Sequence, residues 1–261
     1  MIRLKPELKI LVLRVLILSL FFLSWEIGGR SGVLDPFFFS RPSDIAKDLY
    51  GLFFSGKIYP HLAMTMKEMM TGLLLGLLSG IFVGILLGKS ETFARALDPI
   101  VIGIYAIPKI AIAPLFILWF GLGIMAKIVI AWVVTFFLIF FNTYAGMKNV
   151  NQDIIDAVRT MGANEFKLML KVSLPSCIPW ILVGLRASLG SALVAAIVGE
   201  FIASDTGLGY LILEGSNLFR TSRVLSVVLI LSAIVVTLDS ALRLLETHFL
   251  RWRPRVQDYK G

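Results

Sequence analysis

Residues 148–175 read KNVNQDIIDAVRTMGANEFKLMLKVSLP, a polar interruption between two long hydrophobic stretches. Lys148, Asp153, Asp156, Arg159, Glu165, Lys167 and Lys171 all fall within it. Hydrocarbon offers such charges no water and few partners, so the segment lies in an aqueous phase and faces something there. The rest of the chain is of the opposite kind. Of 261 residues, 57% are hydrophobic and 16% charged, and the mean hydropathy is +0.87, a balance that excludes an ordinary soluble domain. The fold class is therefore all-α integral membrane, because a helix satisfies its own backbone in lipid.

A bilayer core about 30 Å thick and a rise of about 1.5 Å per residue set the span length at roughly twenty residues. About six stretches qualify: residues 10–27, 69–88, 99–120, 124–144, 178–202 and 224–245. The first is also open to reading as a signal peptide, since Arg3, Lys5, Lys9 and Arg14 precede or enter it. Its length and the lack of a small-residue cleavage site argue for a retained span. With the N-terminus inside, inner segments collect about fourteen Lys and Arg against about eight outside, so both termini and the 148–175 loop are expected in the cytoplasm. The resulting division is a first helix and outer segment over 1–60, a membrane domain over 61–245 and a cytoplasmic tail over 246–261.

The formal charge of +8 belongs to the flanks of apolar spans, where anionic headgroups account for it without nucleic acid. A single Cys177 excludes an internal disulfide, and His61 and His248 lack metal-ligand spacing. There is no Walker phosphate loop and no paired-carboxylate arrangement, so the chain is not expected to be an enzyme or to carry a cofactor.

Within the loop, Ile154, Val158 and Met161 recur at helical spacing with Ile155 beside them, while Asp153, Asp156 and Arg159 project elsewhere. Gly162 suits a left-handed residue that ends this helix. A second piece over 164–172 is expected to start on an Asn164 cap and to be limited by Pro175. Two short helices at an angle make a knob. Its apolar stripe either meets a partner or packs back on the chain's own helix ends.

The spacing of Asp156, Ala157, Val158, Gly162, Val172, Leu174 and Pro175 resembles the EAA loop of bacterial ABC-importer permeases, with Asp for Glu, Val for Ala and Val for Ile. The resemblance implies a type I importer membrane domain of the MetI-like kind. It also implies that the knob is a coupling helix seated on a cytoplasmic ABC ATPase dimer, with ATP and Mg held there. A second permease copy and a periplasmic or lipid-tethered solute-binding protein would complete the importer in the inner membrane.

Ile107–Ala111, Pro114–Leu115, Trp119–Gly123, Gly184–Arg186, Gly199–Glu200 and Gly207–Gly209, with Arg41–Ser43 and Leu97–Ile100, are similar to the nitrate, sulfonate, taurine and bicarbonate permeases. That group implies a small anionic substrate, with alkanesulfonate or taurine ahead of nitrate or bicarbonate. Relatives that carry thiamine- or flavin-type precursors keep a second substrate class open. From other classes, an ion-coupled secondary transporter or channel would require an inverted repeat, which the sequence lacks, and a scaffold leaves the stripe without purpose.

Pro108 and Pro114 interrupt the third predicted span, so it is expected to kink beside the pathway. Lys109 and Arg186 fall near mid-membrane depth. They either attract the anion or brace the bundle through carbonyls or a carboxylate such as Glu200. Glu200 itself is read as a gate, an ion pair or a carboxylate in interfacial water. Gly72, Gly76, Gly80, Gly84 and Gly88 recur every four residues and predict one smooth, closely packed helix face. The outer segment holds a mildly amphipathic stretch over 43–54, capped by Ser43 or Asp44, that either lies on the outer leaflet or docks a periplasmic partner.

Overall fold

The computed structural model describes residues 6–89 and 91–249. The basic tail beyond residue 249 and the side chain of His248 lie outside the described residues. In chain order the helices are α1 (Pro6–Ser31), α2 (Pro36–Phe39), α3 (Pro42–Phe54), α4 (Ile58–Lys89), α5 (Glu91–Ala106) and α6 (Ala113–Phe120). Then follow α7 (Ile124–Lys148), α8 (Gln152–Thr160), α9 (Glu165–Leu168), a π-helical turn (Met169–Ser173), α10 (Leu174–Ala203), α11 (Leu208–Asn217) and α12 (Thr221–Phe249). Among the described residues, five helical stretches are long and apolar enough to cross a membrane: Leu8–Ser31, Ile58–Lys89, Ile124–Lys148, Glu165–Ala203 and Thr221–Thr247.

The glycine stripe builds the centre of the bundle. A methyl group on Gly72 would stand 2.5 Å from the Ala131 methyl. On Gly80 it would stand 3.1 Å from Ile139 Cβ, and on Gly84 2.7 Å from Thr143 Cβ. Bare backbone thus lets α4 lie directly against α7, and the matched order of partners makes the two helices parallel. Thr135 Oγ1 donates across this seam to the Gly72 carbonyl at 3.2 Å. The third long helix, α10, runs antiparallel to α7, with Gly184 against Asn142 and Gly199 against Lys127.

Two parallel helices need a return crossing between them, and α5 and α6 supply it. The third predicted span is therefore corrected: the chain crosses in two pieces rather than as one helix over 99–120. Pro108 has no N–H to donate and disfavours helical geometry at Ile107, so α5 stops at Ala106. The turn closes through Ala111 N to Pro108 O and Ala113 N to Ile110 O. Pro114 then sits in the first turn of α6, where a missing donor costs nothing.

Pro175 was expected to limit the helix and does not. The wider π-helical turn at Met169–Ser173 absorbs the mismatch, and the helix runs on from Glu165 to Ala203. The stretch over 43–54 is likewise corrected. Neither Ser43 nor Asp44 caps α3; Pro42 opens it, Ser43 donates through N and Oγ to Glu26 of α1 at 3.0 and 2.9 Å, and Asp44 accepts from Arg41 at 2.8 Å. The helix folds onto the bundle rather than onto lipid alone. Ile45 and Leu52 are buried, and Arg223 of α12 makes a two-pronged bond to Asp48 at 2.9–3.0 Å.

Candidate functional site

The predicted knob is present and protrudes. Asn151 Oδ1 accepts from Asp153 N at 2.8 Å and opens α8; Asn164 Oδ1 accepts from Lys167 N at 2.9 Å and opens α9. Between them Gly162 adopts φ +83°. Its N–H bonds to Arg159 O at 3.0 Å while Ala163 N reaches Val158 O at 3.3 Å, the paired closure of a Schellman turn. Arg159 then bonds Glu165 at 2.9 Å, fixing the angle between the two short helices. We call this unit the elbow.

No residue of α8 is buried. Ile154 is 50% and Met161 84% exposed, and neighbouring Phe166 on α9 is 70% exposed. Asp156 and Ala157 are open to solvent, whereas Ile155 and Val158 are half-covered. The stripe therefore does not pack back fully on the chain's own helix ends. Phe166, absent from the sequence-level set, joins the same exposed apolar surface; no periodicity marked it because it lies beyond the glycine turn. Pro175 sits in the first turn of α10, at the elbow's root.

Lys109, Arg186 and Glu200 do not form one site. Lys109 folds back to donate to the Tyr105 and Ile107 carbonyls, and its ammonium lies 4.2 Å and 4.7 Å from the Tyr105 and Phe137 ring centres. It serves as the cap that α5 needs at its break. Arg186 holds Asp239 at 3.0 Å and Glu246 at 2.7 Å, bracing α10 to α12. Its carboxylate partners are thus on α12, not Glu200. An Arg186→Met variant should lose about 1–2 kcal/mol of stability, checked by its thermal midpoint in detergent, because Glu246 loses its guanidinium and Asp239 is left with Arg243 alone. Arg186→Lys should recover only part of this, since an ammonium lacks the planar fork.

Glu200 is fully buried, which corrects the reading of a carboxylate in interfacial water. It accepts from Thr65 Oγ1 at 2.6 Å and Gly209 N at 2.5 Å, while Leu208 N donates to Thr65 Oγ1 at 2.8 Å. Gly207, at φ +121°, leaves no room for a side chain against this carboxylate. The sharp turn into α11 is thereby pinned to α4 and α10. Beside it lies a buried ion pair: Lys127, 4% exposed, and Glu68, fully buried, meet at 2.9 Å. Lys127 also donates to Ser204 at 2.8 Å. Helix α4 starts well before residue 69, at Ile58, which carries Glu68 inside. His61 bonds the Gly207 backbone and stacks on Tyr210 at 5.9 Å, a structural role.

An all-helical bundle with an exposed elbow between two of its long apolar helices has the architecture of a multi-pass membrane transport subunit. Residues 76–251 match the family described as the binding-protein-dependent transport system inner membrane component, and the chain belongs to that family. It is 32% identical over 91% of its length to a Bacillus subtilis permease protein named for aliphatic sulfonates transport, SsuC, covering 85% of that protein. It is 33% identical to the formylaminopyrimidine transport permease protein ThiX of Halalkalibacterium halodurans over 97% of each chain. Among solved structures it resembles a chain of the MetNI methionine ABC transporter, with TM-score 0.63, 20% identity and coverage of 71% and 93% of the two chains. That likeness establishes the type I importer permease fold. Membership of this family displaces the secondary-transporter and scaffold readings.

Proposed function

We propose that this permease subunit imports a small anion, an alkanesulfonate or taurine before nitrate or bicarbonate, across the inner membrane, with both termini and the elbow in the cytoplasm. Two copies would form the pathway, served by an ATPase dimer below and a solute-binding protein above. The observation that carries the reading is the elbow: an exposed apolar face on two short helices, rigid at Gly162 and continuous through Glu165–Ala203 with a membrane crossing. A push on Ile154, Met161 and Phe166 passes directly into α10 and, through α10, into α7 and α12. ATP-driven closure of the motor would thus alternate the paired bundles between outward and inward access.

The sulfonate-named relative and the group-specific segments support the anion. Both candidate path cations are already engaged, Lys109 by carbonyls and Arg186 by carboxylates. A path without a bare cation suits conduction, since a tight anion site would slow release; selection would fall to the solute-binding protein. The formylaminopyrimidine relative, equally similar, favours a second reading in which the cargo is a thiamine- or flavin-type precursor.

Co-purification with the ATPase tests the coupling role. Ile154→Glu combined with Met161→Glu should release the motor while leaving the bundle folded. Gly162→Val should retain it but uncouple hydrolysis from uptake, because a β-branched residue at this φ is strained by about 1–2 kcal/mol. Full ATPase retention and normal uptake in both variants would refute the coupling role. Whole-cell uptake of labelled taurine against labelled formylaminopyrimidine separates the two cargo readings.

A further inference from the structure

The root of the elbow encloses a polar cleft of about 270 Å³ that coupling to a motor does not explain. Its walls include Lys89, Lys148, Arg159, Glu165, Ile155 and Met169. Lys89 ends α4, Lys148 ends α7 and Arg159 lies in the last turn of the adjoining α8, so the distant end of α4 joins the α7–α8 junction and three cations share one concavity. Glu165 is the one acid in this lining, and Arg159 already holds it at 2.9 Å. Among the described residues, three cations against Glu165 and the neighbouring Asp156, 3.6 Å from Arg159, leave a formal excess of +1 around an open volume. Among the described residues, neither Lys89 nor Lys148 is in an ion pair.

We propose that this cleft binds a phosphate-bearing anion. Lysines at helix C-termini complement the helix dipole, and that accounts for Lys89 and Lys148 one at a time. It does not account for their meeting Arg159 across an empty space. A concave, cation-lined surface backed by apolar helix ends concentrates positive potential, and two ammonium groups with a guanidinium edge match the charge and the several acceptor oxygens of a phosphate. The cleft opens where α4 and α7 leave their apolar stretch, so the phosphate comes either from an anionic lipid headgroup or from solution. In both cases it ties α8 to the ends of α4 and α7 and stiffens the elbow against the bundle.

The test uses the full chain in nanodiscs. In one arm the discs contain phosphatidylcholine with a minority of phosphatidylglycerol, and native mass spectrometry counts the phosphatidylglycerol retained per chain. In the other, pure phosphatidylcholine discs are titrated calorimetrically with inorganic phosphate. Lys89→Gln combined with Lys148→Gln should weaken binding about tenfold or more in whichever arm reports it, the loss expected from two charge-assisted contacts. Glu165→Gln should strengthen binding in the same arm, because it removes the carboxylate nearest Arg159 and leaves the guanidinium only Asp156 at 3.6 Å. This second variant keeps the test decisive if the double variant folds poorly. A response confined to the first arm identifies the lipid, and one confined to the second identifies a soluble phosphate. Equal binding by wild type and variants in both arms overturns the proposal. Neither readout requires the ATPase or the cargo, so failure here leaves the importer reading untouched.

Discussion

Lys127→Met is expected to cost about 3–5 kcal/mol of stability, because among the described residues it strips the one cation from a buried cluster that contains both Glu68 and Glu200. An isolated carboxylate inside a membrane bundle has neither water nor counter-charge. The cluster also fastens the turn at Gly207–Gly209, so the loss should spread to α11. The single Cys177 is buried and serves as the reporter: the temperature at which it becomes reactive to a thiol dye in detergent should fall steeply. Pairing the change with Glu68→Gln should restore much of the loss, since neutralising both partners removes the unpaired charge. A Lys127→Met chain as stable as the wild type would show that water reaches the cluster.

Gly76→Leu is expected to separate α4 from α7. Even a methyl group at Gly76 would press on the Thr135 side chain and lie 2.9 Å from the Phe136 backbone nitrogen, which cannot withdraw without moving α7. Gly76→Ala should therefore cost about 1–3 kcal/mol, and leucine should prevent the seam from closing. The same Cys177 assay measures both. Gly51 provides the contrast, being helical with nothing within 4 Å of its added methyl. There Gly51→Ala should gain about 0.5–1 kcal/mol from helix propensity alone. Equal behaviour at the two glycines would contradict close packing as the reason for the stripe.

The elbow was largely legible before the structure, because its determinants are local. Asn151, Gly162 and Asn164 act on backbone groups no more than a few residues away, and their chemistry is the same in any fold. The glycine repeat was legible for a related reason: a stripe without side chains has use mainly where another backbone comes close. The partners of Lys109 were half-legible, since a cap on its own helix end is local, whereas the Phe137 ring comes from α7. Local rules failed at Pro175 because a π-helical turn upstream relieved the proline, and at 99–120 because one proline-rich stretch folded as two helices.

From the sequence alone follow the all-helical membrane class, the position and hinge of the elbow, and the smooth face of α4, each set by short-range sterics or by the cost of placing polar groups in lipid. Only the tertiary structure decided which charges meet. Glu200 pairs with Thr65 and Gly209 rather than Arg186, Lys127 meets Glu68, and Lys89, Lys148 and Arg159 converge on one cleft. Partners separated by tens of residues are chosen by how helices pack, and packing is a property of the whole bundle rather than of any stretch within it.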